Sequence, residues 1–124
     1  MNAIRSAREE LANTIREATG FDIYDYEPDR LSPPCVLAVP PDSGTWITRT
    51  SYGALTVGVR ILIITRPGDN KTALEALDEM ASQVVDSLNE GVTNLEVSAP
   101  FTLLVNQTTS FPALSITCNV NIVN

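Results

Sequence analysis

Residues 54–65 read ALTVGVRILIIT, and Leu55, Val57, Val59, Ile61 and Ile63 alternate in strict period two. That period turns all five side chains to one face of a β-strand. At roughly 1.5–3 kcal/mol each, their burial contributes about 10 kcal/mol gross before chain entropy is set against it. The opposite face runs Thr56, Gly58, Arg60 and then Leu62 and Ile64, polar at one end and apolar at the other. Such a strand needs cover over its apolar half, from this chain or from another copy of it. Residues 112–123 alternate as cleanly, with Leu114, Ile116, Cys118, Val120 and Ile122 inward and Ser115, Thr117, Asn119 and Asn121 outward. That outward face offers Leu62 and Ile64 no apolar partner. The two are therefore expected as subunit-contact positions, with burial under the loop that holds Trp46 as the competing account.

Two other stretches recur at three- and four-residue spacing. In residues 2–19 the stripe is Ile4, Ala7, Leu11, Ile15 and Ala18, with Asn2 placed as N-cap and Gly20 as the stop. Packing on the chain's own sheet is the expected role of this helix, ahead of docking on a partner. In residues 72–89 the stripe is Leu74, Leu77, Ala81, Val84 and Leu88, widened by Met80 and Val85. Thr72 and Glu75 form a capping box there, and Gly91 ends the helix.

Between these elements, residues 21–26 and 35–39 read as short strands around EPDRLSPP, a turn forced by its prolines. Prolines on both sides of residues 35–39 favour an edge position. Residues 40–53, PPDSGTWITRTSYG, show no period and are expected as a functional or disordered loop, or as the arms of a protruding hairpin. Arg66-Pro67-Gly68 is a turn, and residues 95–106 make a strand interrupted at Ala99-Pro100. The order is α-β-β-β-α-β-β, with no internal repeat and no linker. It predicts a single domain over residues 1–124, an α+β fold with a mostly antiparallel sheet and two helices packed on it.

Composition narrows the function classes. The 124 residues carry 15 acidic and 8 basic side chains, a formal charge of −7, and Lys71 is the only lysine. Nucleic-acid binding needs a basic footprint, and this balance is the reverse. The chain has no histidine, which removes Ser-His-Asp and Cys-His catalysis, histidine zinc ligands and histidine pH switching. Cys35 and Cys118 lie far apart and form no C-x-x-C pair, as in a reducing compartment. The charges at Arg5, Arg8, Glu9, Glu10, Arg16 and Glu17 are unlike a signal peptide, and no apolar run reaches membrane-spanning length. Synthesis in the cytosol and no membrane partner are the expectations.

Candidate chemistry is sparse. Asp22, Asp25, Glu27 and Asp29 match no calcium-loop spacing, Asp22 and Asp25 have opposite strand parity, and solvated turn acids are the expected reading. No phosphate-cradling G-x-x-x-x-G-K occurs. No catalytic, cofactor-binding or metal residue is assigned, and enzyme activity is not expected. Trp46 stands in the long loop with Tyr52 at the loop's end, a pairing suited to an interface anchor or to a cap folded back on the core. Arg49 and Arg60 are scarce positive charges near it, placed to pair with acids on a neighbour.

One segment is distinctive. Tyr24-Asp25-Tyr26-Glu27-Pro28 follows the first helix, and Ser32-Pro33-Pro34 leads into the strand at residues 35–39. A loop ending at Tyr52-Gly53, a long alternating strand, a second helix and a final hairpin complete a layout that covers essentially the whole chain. It resembles the small tail-terminator proteins of long-tailed, siphovirus-type bacteriophages, particularly those of actinobacteria. The resemblance implies a ring, usually of six copies, that caps the finished tail tube and offers a surface to the head-side connector. It implies three kinds of partner: further copies of the chain, the major tail tube protein and the connector. DNA would pass through the lumen unbound, and assembly in the host cytoplasm would place the protein at the head-proximal end of the virion tail. It implies no catalytic residue and no cofactor. The expected subunit or tail-tube interface is Trp46, Ile47, Arg49, Tyr52, Arg60, Leu62 and Ile64. The alternatives are another head–tail joining or completion protein, or a small dimeric ferredoxin-like ligand-binding module.

Overall fold

The long alternating stretch lies at the centre of a seven-stranded sheet. In the computed structural model, which describes residues 3–24, 33–41, 46–49, 55–66, 68–88, 92–105 and 109–122, the elements are α1 (Ala3–Thr19), β1 (Ile23–Tyr24), β2 (Cys35–Val39), β3 (Ile47–Arg49), β4 (Leu55–Ile64), α2 (Asn70–Ser87), β5 (Val92–Val97), β6 (Phe101–Val105) and β7 (Thr109–Ile122). This is the expected α+β order, with β3 added and the penultimate strand divided into β5 and β6. The division falls at residues 98–100, around the expected Ala99-Pro100 interruption.

β4 and β7 form the antiparallel middle of the sheet, in register from Leu55 opposite Ile122 to Ile64 opposite Ala113. Each carries two short strands end to end on its outer side. β2 and β3 share the free side of β4, and β5 and β6 share the free side of β7. β2 is not the edge that its flanking prolines suggest, because β1 pairs with it in parallel through Ile23 opposite Val36 and Tyr24 opposite Leu37. Pro33, Pro34 and Pro40 stand outside the paired register, so their missing N–H groups remove nothing from the ladder.

The expected inward face is the core. Val57, Val59, Ile61 and Ile63 of β4 and Leu114, Ile116 and Cys118 of β7 pack against both helices. α1 buries Ala7, Leu11, Ala12 and Ile15, so Ala12 widens the expected stripe, and Ala18 in the last turn is exposed rather than buried. Gly20 stops the helix at φ 76°, and its N–H donates to the Arg16 carbonyl at 2.8 Å. That left-handed geometry is the one glycine adopts without strain.

α2 departs from expectation at its start. The cap is Asp69 rather than Thr72, and the Asp69 carboxylate accepts from the Thr72 N–H at 2.7 Å. Asp69 has extended backbone angles, which lets its side chain reach back over the first turn. The face turned to the core is Ala73, Leu77, Met80 and Val84, with Ala81, Val85 and Leu88 partly buried beside it as expected, and Leu74 points to solvent, 48% exposed. The helix ends at Ser87, with the Leu88 N–H donating to the Val85 carbonyl. Gly91, expected as the stop, lies outside the described residues.

Asp69 supplies a pH signature. Hydrogen bonds from the Thr72 N–H and the Thr72 hydroxyl, with a lesser one from the Lys71 N–H, hold the carboxyl below its ordinary value. A depressed folded-state pKa stabilises above the unfolded value, and that contribution is lost as pH falls through the folded one. Asp69→Ala should therefore lower Tm by a few degrees at neutral pH. The gap to the wild type should narrow as the buffer is taken below about pH 4, as read by thermal melts followed by circular dichroism.

Candidate subunit interface

Trp46, Ile47 and Arg49 occupy one corner of the sheet. β3 pairs with the first residues of β4, Ile47 opposite Val57 and Arg49 opposite Leu55. The Trp46 carbonyl continues that pairing by accepting from the Gly58 N–H at 2.6 Å. The backbone is thereby tied down while the indole stays 41% exposed, Ile47 is half-buried and Arg49 is exposed. The described strand within residues 40–53 pairs with β4 rather than with another part of the same segment, which differs from the expected hairpin made by its own arms. Tyr52, the other aromatic assigned to this surface, lies outside the described residues, as do Asp25, Glu27 and Asp29 of the acidic segment.

The remaining expected contact residues are elsewhere. Arg60 is half-buried on the second face of the sheet, its guanidinium 5.9 Å from the centroid of the Phe101 ring. That is cation–π distance. Leu62 and Ile64 are only 7% and 0% exposed. They belong to a second core cluster with Cys35, Leu37 and Ala113, flanked by Tyr24, Val39, Phe101, Leu103 and Phe111. The expectation that they meet another subunit is corrected by this burial: the chain itself covers them. No described residue of that cluster comes from the Trp46 segment, so cover by that loop is not what the cluster shows.

Among the described residues, Tyr24 and Val39 flank the cluster on one side and the β6–β7 hairpin flanks it on the other. Phe101 stands opposite Ala113, which stands opposite Ile64, and Leu103 stands opposite Phe111. Ser115, Ala113 and Phe111 share strand parity, so the outward face of β7 turns apolar just where the outward face of β4 does. The signal was present in the sequence: extending the alternation two steps before Ser115 reveals it. The other half of this face stays polar, with the Thr56 hydroxyl on Asn121 at 3.1 Å and the Asn121 amide on Thr93 at 3.4 Å.

The large apolar side chains left exposed among the described residues are Trp46, Leu74, Leu95 and Val97. Leu74 sits in a groove of about 320 Å³ between the start of α2 and the base of the β6–β7 hairpin. Ala73, Leu77, Pro100, Phe101 and Pro112 form most of the rest of its lining. Leu95 and Val97 lie on β5, which bulges against β7 between Thr93 and Glu96, with Asn94 at φ 53°. A bulge of this kind twists an edge strand away from further pairing.

Neither thiol belongs to a reactive site. Cys35 and Cys118 are buried and unbridged, in the second-face cluster and the helix-side core respectively. Burial raises both above the ordinary thiol value, aided at Cys35 by the Asp22 charge, and Cys118 is pushed up to about 11. Among the described residues no three or more Cys, Asp or Glu side chains converge as a metal site would require. No helix among them is long and apolar enough to cross a membrane.

No family model matches the sequence, and no curated protein matches it. The fold has solved counterparts. One is a chain of the virion of the native gene transfer agent (GTA) particle, with a TM-score of 0.56 over 98% of this chain and 98% of that one. The two are 16% identical, so what they share is the fold.

Proposed function

We propose that this chain is a structural protein of a phage or phage-like virion, and specifically that it caps the completed tail tube as a ring. The observation that carries the reading is the end-to-end likeness of its fold to a gene transfer agent virion chain. The tail-terminator resemblance of the Tyr24–Pro28 segment and of the element layout supports the finer role. The ring would stop addition of tube subunits by covering their growing face and would present its other face to the head-side connector. The formal charge of −7 suits a conduit that must not hold its cargo, because like charge opposes binding to the phosphate backbone.

Electron microscopy of particles made without this gene tests the role. A tail terminator predicts tubes of abnormal and variable length, and complementation with the gene should restore uniform tails. Tails of normal length lying beside unjoined heads would instead make the chain a head–tail joining protein. Complete particles would remove both roles.

A further inference from the structure

Trp46 and the groove holding Leu74 lie at opposite corners of the same sheet. β3 is on the free side of β4 and β6 on the free side of β7, so three strand spacings separate them, about 14 Å. Along the strands, Val57 beside β3 is seven residues from Ile64, the row that leads through Ala113 to Phe101, a further offset of about 23 Å. The indole of Trp46 cannot span that diagonal to reach its own groove. It can reach the groove of another copy.

Size and charge both fit that occupant. An apolar cavity of about 150 Å³ holds a benzene ring, and the groove of about 320 Å³ has room for the bicyclic indole. Its walls include Leu74, Leu77, Pro100 and Pro112, an apolar surface of the kind a buried Trp anchor requires. The positive charge beside the anchor is Arg49, exposed three residues along. The exposed side of α2 around Leu74 carries Asp69, Glu75 and Asp78 against Lys71, a net negative rim.

We propose that Trp46 of one copy inserts into the groove between α2 and β6 of the next copy, with Arg49 facing the acidic rim of α2. The proposal rests on the ring reading above and names the contact that would build the ring. The two patches differ and lie at opposite corners of the sheet. The contact is therefore heterologous, the kind that propagates head to tail and closes into a ring when its rotation permits.

Paired cysteines test it directly. Trp46→Cys and Leu74→Cys proteins, each checked for native circular dichroism and melting, are mixed at high concentration and treated with a short bifunctional maleimide. The buried native thiols, both with raised pKa, stay unreactive near pH 7. The mixture should give covalent dimers that neither single variant gives, and the double variant should give a ladder of covalent oligomers. Dimers formed equally by the single variants would overturn the proposal, as would the absence of mixed dimers. The wild-type protein gives a second reading, because Trp46 is its only tryptophan. Its emission should move to shorter wavelength as concentration rises, and Leu74→Asp should abolish the shift; emission independent of concentration would overturn the contact. Rings or abnormal knockout tails without mixed dimers would leave the tail-capping role standing and move the interface elsewhere. Mixed dimers alongside normal knockout tails would keep the contact and remove the role.

Discussion

Ile64→Asp is expected to yield no native protein, and Ile64→Ala a folded one whose Tm is lower by about 10 °C. Ile64 is fully buried on the second face of the sheet, against Cys35, Leu37, Leu62 and Ala113. The cation on that face of β4 is Arg60, whose guanidinium is held 5.9 Å over the Phe101 ring, four residues along the strand from Ile64. An unpaired ion or an unsatisfied acid there costs several kcal/mol, a large share of the roughly 5–15 kcal/mol that hold a domain together. Truncation to alanine instead leaves a cavity and costs about 2–5 kcal/mol. At roughly 4 °C per kcal/mol for a chain of this length, that is a shift readily measured by thermal melts. The prediction separates two accounts of the position. If Ile64 met a neighbouring subunit, the aspartate variant would fold as a monomer of nearly normal Tm and fail only in assembly. Soluble, cooperatively melting Ile64→Asp protein would return the residue to an interface.

The second large effect is a contrast within one turn of α2. Leu77→Ala should cost about 3 kcal/mol, because Leu77 is 1% exposed and packs in the helix-side core. Leu74→Ala should leave the monomer's stability within about 0.5 kcal/mol, the usual range for an exposed position, and should reduce self-association through the groove it lines. Urea unfolding of both variants, beside sedimentation at several concentrations, reads the two outcomes separately. Equal destabilisation by the two substitutions would mean that the helix is rotated from the phase described, with Leu74 inward as its spacing to Leu77 and Ala81 suggests.

That contrast shows how pattern alone can mislead by one residue. Leu74, Leu77, Ala81, Val84 and Leu88 satisfy the helical period, but so do Ala73, Leu77, Met80 and Val84. The choice is made by how the helix packs on the sheet. Leu77 and Val84 belong to both stripes, Ala81 and Leu88 pack partly buried against the core, and Ala73 rather than Leu74 takes the inward position in the first turn. A small residue there leaves room for the groove, and the bulkier Leu74 is left at the surface. For the candidate interface the division is similar. The exposure of Trp46 and Arg49 agrees with an aperiodic loop flanked by prolines. The fate of Leu62 and Ile64 was not legible from β4, because the residues that flank them include Phe101, Leu103 and Phe111, far along the chain.

The sequence by itself determined what depends on neighbours in the chain. The alternation of Leu55, Val57, Val59, Ile61 and Ile63, and again from Leu114 to Ile122, marks the face that meets the helices, since a one-residue slip would turn those aliphatics away from it. Gly20 and the prolines set where elements stop. The tertiary structure decided what depends on residues brought together from a distance: that β1 converts β2 from an edge into an interior strand, and that β6 and the first turn-side residues of β7 close the second face. Both follow from strand pairing, β1 on β2 and the β6–β7 hairpin carried to β4 through β7, whose free energy is spread over a register rather than written at any one position. The same closure settles the surface. It draws Leu62 and Ile64 inside and leaves Trp46 at one corner of the sheet and the Leu74 groove at the other.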